Sequence, residues 1–248
     1  MSDPKSYQMK TFATGIFLFA CLTLLLSFNA LEPVERREEP LKKAEGSPKT
    51  LFFQSIYHRI SSAGANLSEE VFLLALNGFD KLQAQGRLSA DSILTIIDFT
   101  KSSREKRLFV VDLKAQQLLI SSVVAHGRNT GTEFAKQFSN RPESFQSSLG
   151  FYVTGKPYQG SNGYSLVLEG MEKGFNDKAK ERAIVMHGAD YASEQVIRHK
   201  GYLGRSLGCP AVPKQVTKKT IETIKGGNCL FIYYPDQKYL NGSEILNG

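Results

Sequence analysis

Ile184-Val-Met-His-Gly188, followed by Arg205-Ser-Leu-Gly-Cys-Pro210, decides how this chain is read. The first piece is an apolar, β-rich run that ends on an imidazole. The second sets small residues just ahead of a thiol. Together they supply a nucleophile (Cys209), a base (His187) and main-chain amides near Gly208 that can face a developing oxyanion. A free thiol near neutral pH is only a few per cent ionised, so the base is needed to take its proton. His187 comes before Cys209, whereas in papain-like enzymes the cysteine comes first. Ser206 can bond the imidazole or the substrate, or can shape the loop. Asp190, three residues past His187, is a weak candidate to orient the ring.

Outward from these pieces, the chain reads as short strands broken by turn residues. The runs are Leu108-Phe-Val-Val-Asp-Leu113, Gln117 to Ala125, Gly150-Phe-Tyr-Val-Thr154, Tyr164-Ser-Leu-Val-Leu168, Arg182 to Met186 and Cys229 to Tyr234. Lys114-Ala-Gln-Gln117 is a tight hairpin between the first two. Strands and helices do not alternate regularly, so a mainly antiparallel sheet or barrel is expected rather than a doubly wound fold. Residues 213–225 read as a helix leading into the last strand. Upstream, residues 50–104 read as a small helical segment. Leu51, Phe52, Ile56, Tyr57 and Ile60 form one apolar stripe, and Ser68-Glu-Glu70 caps a helix running to Gln85 with Val71, Leu74, Ala75 and Leu82 inward. Ser89 to Phe99 is taken as a further short apolar stretch of this preface. The fold class is therefore mainly β with peripheral helices (α+β), a sandwich or barrel over residues 105–248.

The first 30 residues stand apart. Lys5 and Lys10 precede an uncharged apolar run from Thr11 to Ala30, which suits either a signal peptide or an uncleaved membrane anchor. A lipoprotein reading through Cys21 conflicts with the apolar run continuing past it. Residues 31–49, charged and Pro-containing, read as a flexible tether. The rest of the chain is then exported, to the periplasm or cell envelope.

Two of the three cysteines lie beyond that head. A disulfide is the usual outcome in an oxidising compartment. Here Cys229 sits in an apolar strand as a small hydrophobe, so two free thiols are expected, one reactive and one inert. The net charge of +7 is scattered, and Trp is absent. Without a basic-aromatic ladder, nucleic acid is not expected as a partner. A polyanionic surface would be attracted. A zinc site from His187, His199, Cys209 and Cys229 lacks any close ligand pair, so no metal and no cofactor are expected. His58 and His199 read as solvated. His126, in Ala125-His-Gly-Arg-Asn-Thr-Gly131, is either a turn residue or part of the site wall. Asn129-Thr-Gly131 and Gly160-Ser-Asn-Gly163 are turns, not phosphate loops, since no helix follows them.

With these residues in view, the chain resembles the YkuD-type L,D-transpeptidase catalytic domain of bacterial cell-wall enzymes, and more narrowly its murein L,D-transpeptidase variant. The resemblance rests on His187-Gly188, on Ser206-Leu-Gly-Cys209 and on the strand-opening turn Ser147-Ser-Leu-Gly-Phe151, and covers about residues 105–235. It implies that Cys209 attacks the carbonyl at an L-to-D junction of a peptidoglycan stem peptide and releases D-alanine. An amine of a neighbouring stem then resolves the acyl-enzyme into a 3→3 cross-link. It implies catalytic roles for Cys209, His187, Ser206 and Gly208; Gly188, Arg205 and His126 are the candidate substrate contacts, and a monomer is expected. Many members have His where Leu207 stands and an arginine soon after the cysteine, where this chain has Pro210-Ala-Val212. Those departures bear on substrate grip more than on acyl chemistry. With water as acceptor the same site would be an L,D-carboxypeptidase or hydrolase, and with an unreactive thiol a silent wall-binding protein.

Overall fold

The computed structural model describes residues 48–90 and 92–248. The expected signal or anchor at 1–30 lies outside them, as does the tether up to residue 47; Pro48 and Lys49 already belong to the first helix. No helix among the described residues is long and apolar enough to cross a membrane.

Two helices come first, α1 (Pro48–Ser62) and α2 (Glu69–Ala84). Ser68 caps α2 by accepting the Val71 N–H at 3.3 Å, and Glu69 and Glu70 complement the helix dipole in its first turn. Ile56 and Ile60 of the α1 stripe are fully buried, while Leu51 and Phe52 face solvent; Phe53 is buried in their place. In α2, Val71, Ala75 and Leu82 point inward as the spacing predicts, with Leu74 only half-buried.

Eight strands follow: β1 (Ile93–Asp98), β2 (Leu108–Asp112), β3 (Gln117–Ser122), β4 (Gly150–Gly160), β5 (Gly163–Gly170), β6 (Val185–Ala189), β7 (Ala211–Pro213) and β8 (Cys229–Tyr233). They form one sheet in the order β3-β2-β1-β8-β4-β5-β6-β7. The β1–β8 and β6–β7 pairs are parallel and the others antiparallel. Beyond β3 the chain turns toward the other edge, and Ala125 exchanges main-chain hydrogen bonds with Ala211 of β7 at 2.8 and 3.3 Å. The sheet is thereby curled into a nearly closed barrel.

This architecture agrees with the expected class but corrects the preface. Residues 93–98 are a central strand, hydrogen-bonded to β2 on one side and β8 on the other. The run Ile-Leu-Thr-Ile-Ile-Asp is buried on both faces, and a strand of that kind shows no alternation to distinguish it from a short buried helix. The expected strand at 182–186 begins instead at Val185, because Ala183 takes a left-handed φ of 50° and ends a series of turns.

After β6 come a 3-10 turn (Asp190–Ala192), α3 (Glu194–Lys200) and then β7; α4 (Lys214–Ile224) connects β7 to β8, as expected, and α5 (Gln237–Gly242) and α6 (Glu244–Asn247) follow β8. The last two dock through Glu172. Its buried carboxylate accepts the Phe151 N–H at 2.7 Å, the Tyr239 hydroxyl at 3.0 Å and the Ser243 hydroxyl. Burial still pushes this carboxyl up from its ordinary range, against the pull of the three donors.

At the centre of the core, the Phe151 and Phe231 rings stack with centroids 4.1 Å apart. Gly78 of α2 lies directly against them: a Cβ there would come within 2.0 Å of the Phe151 ring. Gly78→Ala therefore trades a better helix former for an overpacked core. The expected result is a net loss of about 1–3 kcal/mol, read as a melting temperature lower by about 2–4 °C per kcal/mol at this chain size. An unchanged or higher melting temperature would show that α2 does not lean on the sheet at this point.

Candidate active site

Parallel pairing of β6 with β7 puts His187 opposite Ala211, with the His187 N–H 3.4 Å from the Pro210 carbonyl. Cys209, two residues ahead of Ala211, is thereby brought beside the start of β6. The segment 183–185 wraps its sulfur. Sγ receives the Val185 N–H at 3.5 Å and directs its own proton at the Ala183 carbonyl at 3.7 Å. Ala183 offers that carbonyl from a left-handed conformation, φ 50°, a strain that the surrounding structure holds in place. Burial pushes the thiol up from its usual range, partly offset by the Val185 N–H and by the positive charge of Arg182.

His187 is 4 % exposed. Its Nδ1 lies 3.1 Å from the Gly188 carbonyl, which assigns the proton to Nδ1 and leaves the lone pair on Nε2. Burial pushes the imidazole down, against the Gly188 carbonyl. Burial thus favours the neutral form of both groups. A backbone carbonyl orients the ring; Asp190 is instead ion-paired with Lys214 at 2.6 Å.

Ser206 sits inside the turn before the thiol. Its hydroxyl donates to the Cys209 carbonyl at 2.6 Å and accepts the Gly208 N–H at 3.0 Å. Of the three roles open to it, the structure places it in shaping the loop. The same bond occupies the Gly208 amide that small-residue reasoning had assigned to an oxyanion. Gly208 itself is required by φ of +128° and by the Gln146 carbonyl, 2.9 Å from where a Cβ would stand. Its carbonyl accepts the Ser147 hydroxyl at 3.1 Å, so loop 139–148 is bonded to the turn.

The three residues expected to contact substrate are placed differently. The ring of His126 is interior, 1 % exposed, with Arg107 Nη2 donating to Nδ1 at 2.8 Å and Nε2 donating to the Gly131 carbonyl at 3.2 Å. Burial, then the Arg107 charge, lowers its pKa to about 3. His126 reaches the site through its carbonyl, which accepts the Ser206 N–H at 2.9 Å. The expected substrate contact is thus corrected to bracing from behind. Gly188 is a packing position, since a Cβ would meet Thr217 Oγ1 of α4 at 2.3 Å. Arg205 is exposed and spans the Arg128 and Gly131 carbonyls, each at 3.4 Å. Leu207 is 53 % exposed, two residues before Cys209.

Two arginines escaped the sequence reading. Arg107 is fully buried and donates to the Val124 carbonyl at 3.0 and 2.7 Å and to that of Lys101 at 3.0 Å, with its guanidinium 4.8 Å from the Phe99 ring centre. Desolvation lowers its pKa to about 9, against the charges of Asp98 and Glu105. Arg182 borders the Gly208–Cys209 turn. The only sequence signal for either was a cation at the lip of an apolar run. Cys229 is fully buried and its thiol is pushed far up by burial, while His58 and His199 are exposed. No group of three or more metal-ligating side chains occurs among the described residues.

A family model described as the L,D-transpeptidase catalytic domain matches residues 63–233. No curated protein matches the chain. Among solved structures it is similar to an L,D-transpeptidase from Mycobacterium smegmatis, at 10% identity and TM-score 0.36, over 58% of this chain and 59% of that one. It is also similar to the L,D-transpeptidase (residues 123–326) from Xylanimonas cellulosilytica, at 14% identity and TM-score 0.34, over 76% of this chain and 94% of that one. A third is Bdellovibrio bacteriovorus Bd1075, at 13% identity and TM-score 0.37, over 59% and 50%. The chain spans about 59% of the length of the mycobacterial relative.

His126 gives the bracing a pH signature. It is neutral in the fold, while an unfolded histidine takes up a proton below about pH 6.5. Its contribution to stability is complete above that value and is lost as pH falls toward about 3. His126→Asn should be less stable than the wild type at pH 7, with the gap closing by at least about 1 kcal/mol at pH 4. Urea unfolding at both pH values measures it, and a constant gap would place the neutral ring elsewhere.

Proposed function

The chain belongs to the L,D-transpeptidase catalytic domain family, and we propose that it is an exported enzyme that cross-links peptidoglycan through an acyl-enzyme on Cys209. The observation that carries this reading is the placement of His187 on β6 and of Cys209 in the turn that leads into its parallel partner β7, with the thiol cradled by backbone at 183 and 185 and Nδ1 committed to Gly188.

In this reading Nε2 of His187 takes the Cys209 proton as sulfur attacks the carbonyl of a stem peptide. The tetrahedral intermediate collapses with His187 returning the proton to the leaving amine, so D-alanine departs and a thioester remains. An amine of a second stem then attacks the thioester and loses a proton to His187. Collapse forms the new amide and restores the thiol. The approaching carbonyl oxygen must find donors other than the Gly208 amide, which Ser206 occupies. A neutral thiol–imidazole pair suits a low-dielectric site, because no resting ion pair has to be stabilised there.

Intact-mass spectrometry of the full chain after exposure to a carbapenem tests the nucleophile. One drug adduct is expected on the wild type and none on Cys209→Ala, while His187→Ala should acylate about 10²–10⁴-fold more slowly. An adduct of equal yield on Cys209→Ala would overturn the assignment. With stem peptides as substrate, cross-linked dimers support amine transfer. Trimmed monomers alone would make the enzyme a hydrolase, and no reaction with either substrate or drug would leave a wall-binding protein.

A further inference from the structure

Arg182 is a half-buried cation with neutral hydrogen-bond partners. Nη1 donates to the Ser139 carbonyl at 2.8 Å and to Ser148 Oγ; Nη2 donates to the Gln146 carbonyl at 2.6 Å and to Ser144 Oγ at 3.3 Å. Among the described residues no carboxylate pairs with it, and the charges that bear on it are those of Tyr152 and Cys209. Tyr152 is fully buried, donates its hydroxyl to the Ser148 carbonyl, and is pushed too far up to ionise. A buried charge without a partner is costly, so one without a carboxylate invites a functional explanation.

Position supplies it. Nη2 lies 3.3 Å from where a Cβ on Gly208 would stand, directly before Cys209. The residue after it, Ala183, supplies the carbonyl to which the thiol donates, and Val185 supplies the amide to Sγ. Backbone strain gathers at the same place: Ala183, Glu143 and Phe145 all take left-handed φ values, of 50°, 56° and 53°, and the last two lie in the loop that Arg182 holds. One guanidinium thus joins loop 139–148, the strained approach to β6 and the nucleophile's turn.

We propose that Arg182 is the counter-cation of the Cys209 thiolate, a positioning residue that holds the negative charge of sulfur once His187 has taken its proton. This rests on Cys209 being the nucleophile. The proton passes from Sγ to Nε2 of His187, and the charge left on sulfur faces a cation already fixed by four hydrogen bonds, so no reorganisation accompanies its appearance. Beside Arg182, the titratable group on which the Cys209 charge bears is Tyr191, and His187 stands opposite Ala211, two residues past the thiol. His187 is neutral at rest, and Tyr191, pushed up to about 12 by burial and then by the Cys209 charge, stays neutral as well. Arg182 is therefore the cation in place before the proton moves, and the thiolate meets it as soon as His187 becomes imidazolium.

The test is the pH dependence of Cys209 alkylation by iodoacetamide, resolved by peptide mass spectrometry in the full chain, for the wild type, Arg182→Lys and Arg182→Gln. With the charge removed, the alkylation midpoint of R182Q should rise by about one pH unit or more. R182K, which keeps the charge and loses much of the clamp, should stay near the wild type. The kcat of R182Q should fall about tenfold at pH 7 and recover toward high pH, with KM less affected. A clamp-only role would lower the melting temperature of both variants and move neither midpoint, which would overturn the proposal. If R182Q does not fold, Cys209→Asp and Cys209→Asn decide with Arg182 intact. A cation facing position 209 makes the Asp variant gain melting temperature over the Asn variant between about pH 3 and 6; the opposite trend overturns it. Absence of a carbapenem adduct on the wild type would instead sink the nucleophile itself, an outcome distinct from coincident alkylation profiles in an enzyme that acylates normally.

Discussion

The exchange of two main-chain hydrogen bonds between Ala125 and Ala211 fixes the geometry on which the site depends. It joins the segment beyond β3 to the far edge of the sheet through an isolated antiparallel bridge. Once it is made, Gly127 falls opposite Ser206, the His126 carbonyl meets the Ser206 amide, and the Cys209 turn has a back wall. Small residues permit the approach. A second, minor core of Val123, Ala125, Ala189, Ala192, Leu203 and Ala211 fills the seam, and four of its six members are alanine. Larger side chains there would hold the edges apart and leave buried amides and carbonyls unpaired.

Behind that seam the structure accepts the burial of a guanidinium. Arg107 satisfies three donors on carbonyls and one on His126, whose ring is kept neutral by burial and then by the Arg107 charge. In front of it, thiol and imidazole are likewise uncharged. Low polarity on both sides strengthens whatever field acts on charge that develops during reaction. The same low polarity raises the cost of any cation without a partner, which is why the placement of Arg182 bears on chemistry as well as on loop structure.

Much of this was legible because it is local. Ser68 followed by two glutamates marks a helix start through hydrogen bonds within one turn, and the residues preceding Cys209 announce a turn because only glycine accepts the φ found at Gly208. The identity and order of His187 and Cys209 required no tertiary knowledge. What escaped depends on distant partners. β1 looked like part of a helical preface because a strand covered on both faces has no polar side to show a period of two. β7 is three residues long and exists because β6 and the Ala125 segment flank it. The role of His126 turned on Arg107, nineteen residues earlier, and that of Arg182 on a loop more than thirty residues away. Ser206 was visible as a polar residue near a thiol, but its choice between imidazole, substrate and loop was settled by a carbonyl three positions on.

The carboxyl of Glu172 leaves a mark on where this domain ends. The family match stops at residue 233, yet two of the three donors that solvate this buried acid, Tyr239 and Ser243, come after it. A fragment cut at the match would keep every strand of the barrel and the whole Cys209 turn, and would leave an interior carboxyl with one amide for company. The smallest autonomous unit is thus longer than the catalytic homology, and α5 and α6 are a plug for the sheet rather than a tail. During synthesis, β8 emerges before the plug does. The barrel can assemble its ladder at that moment, but its interior is complete only when residues 237–247 have cleared the exit.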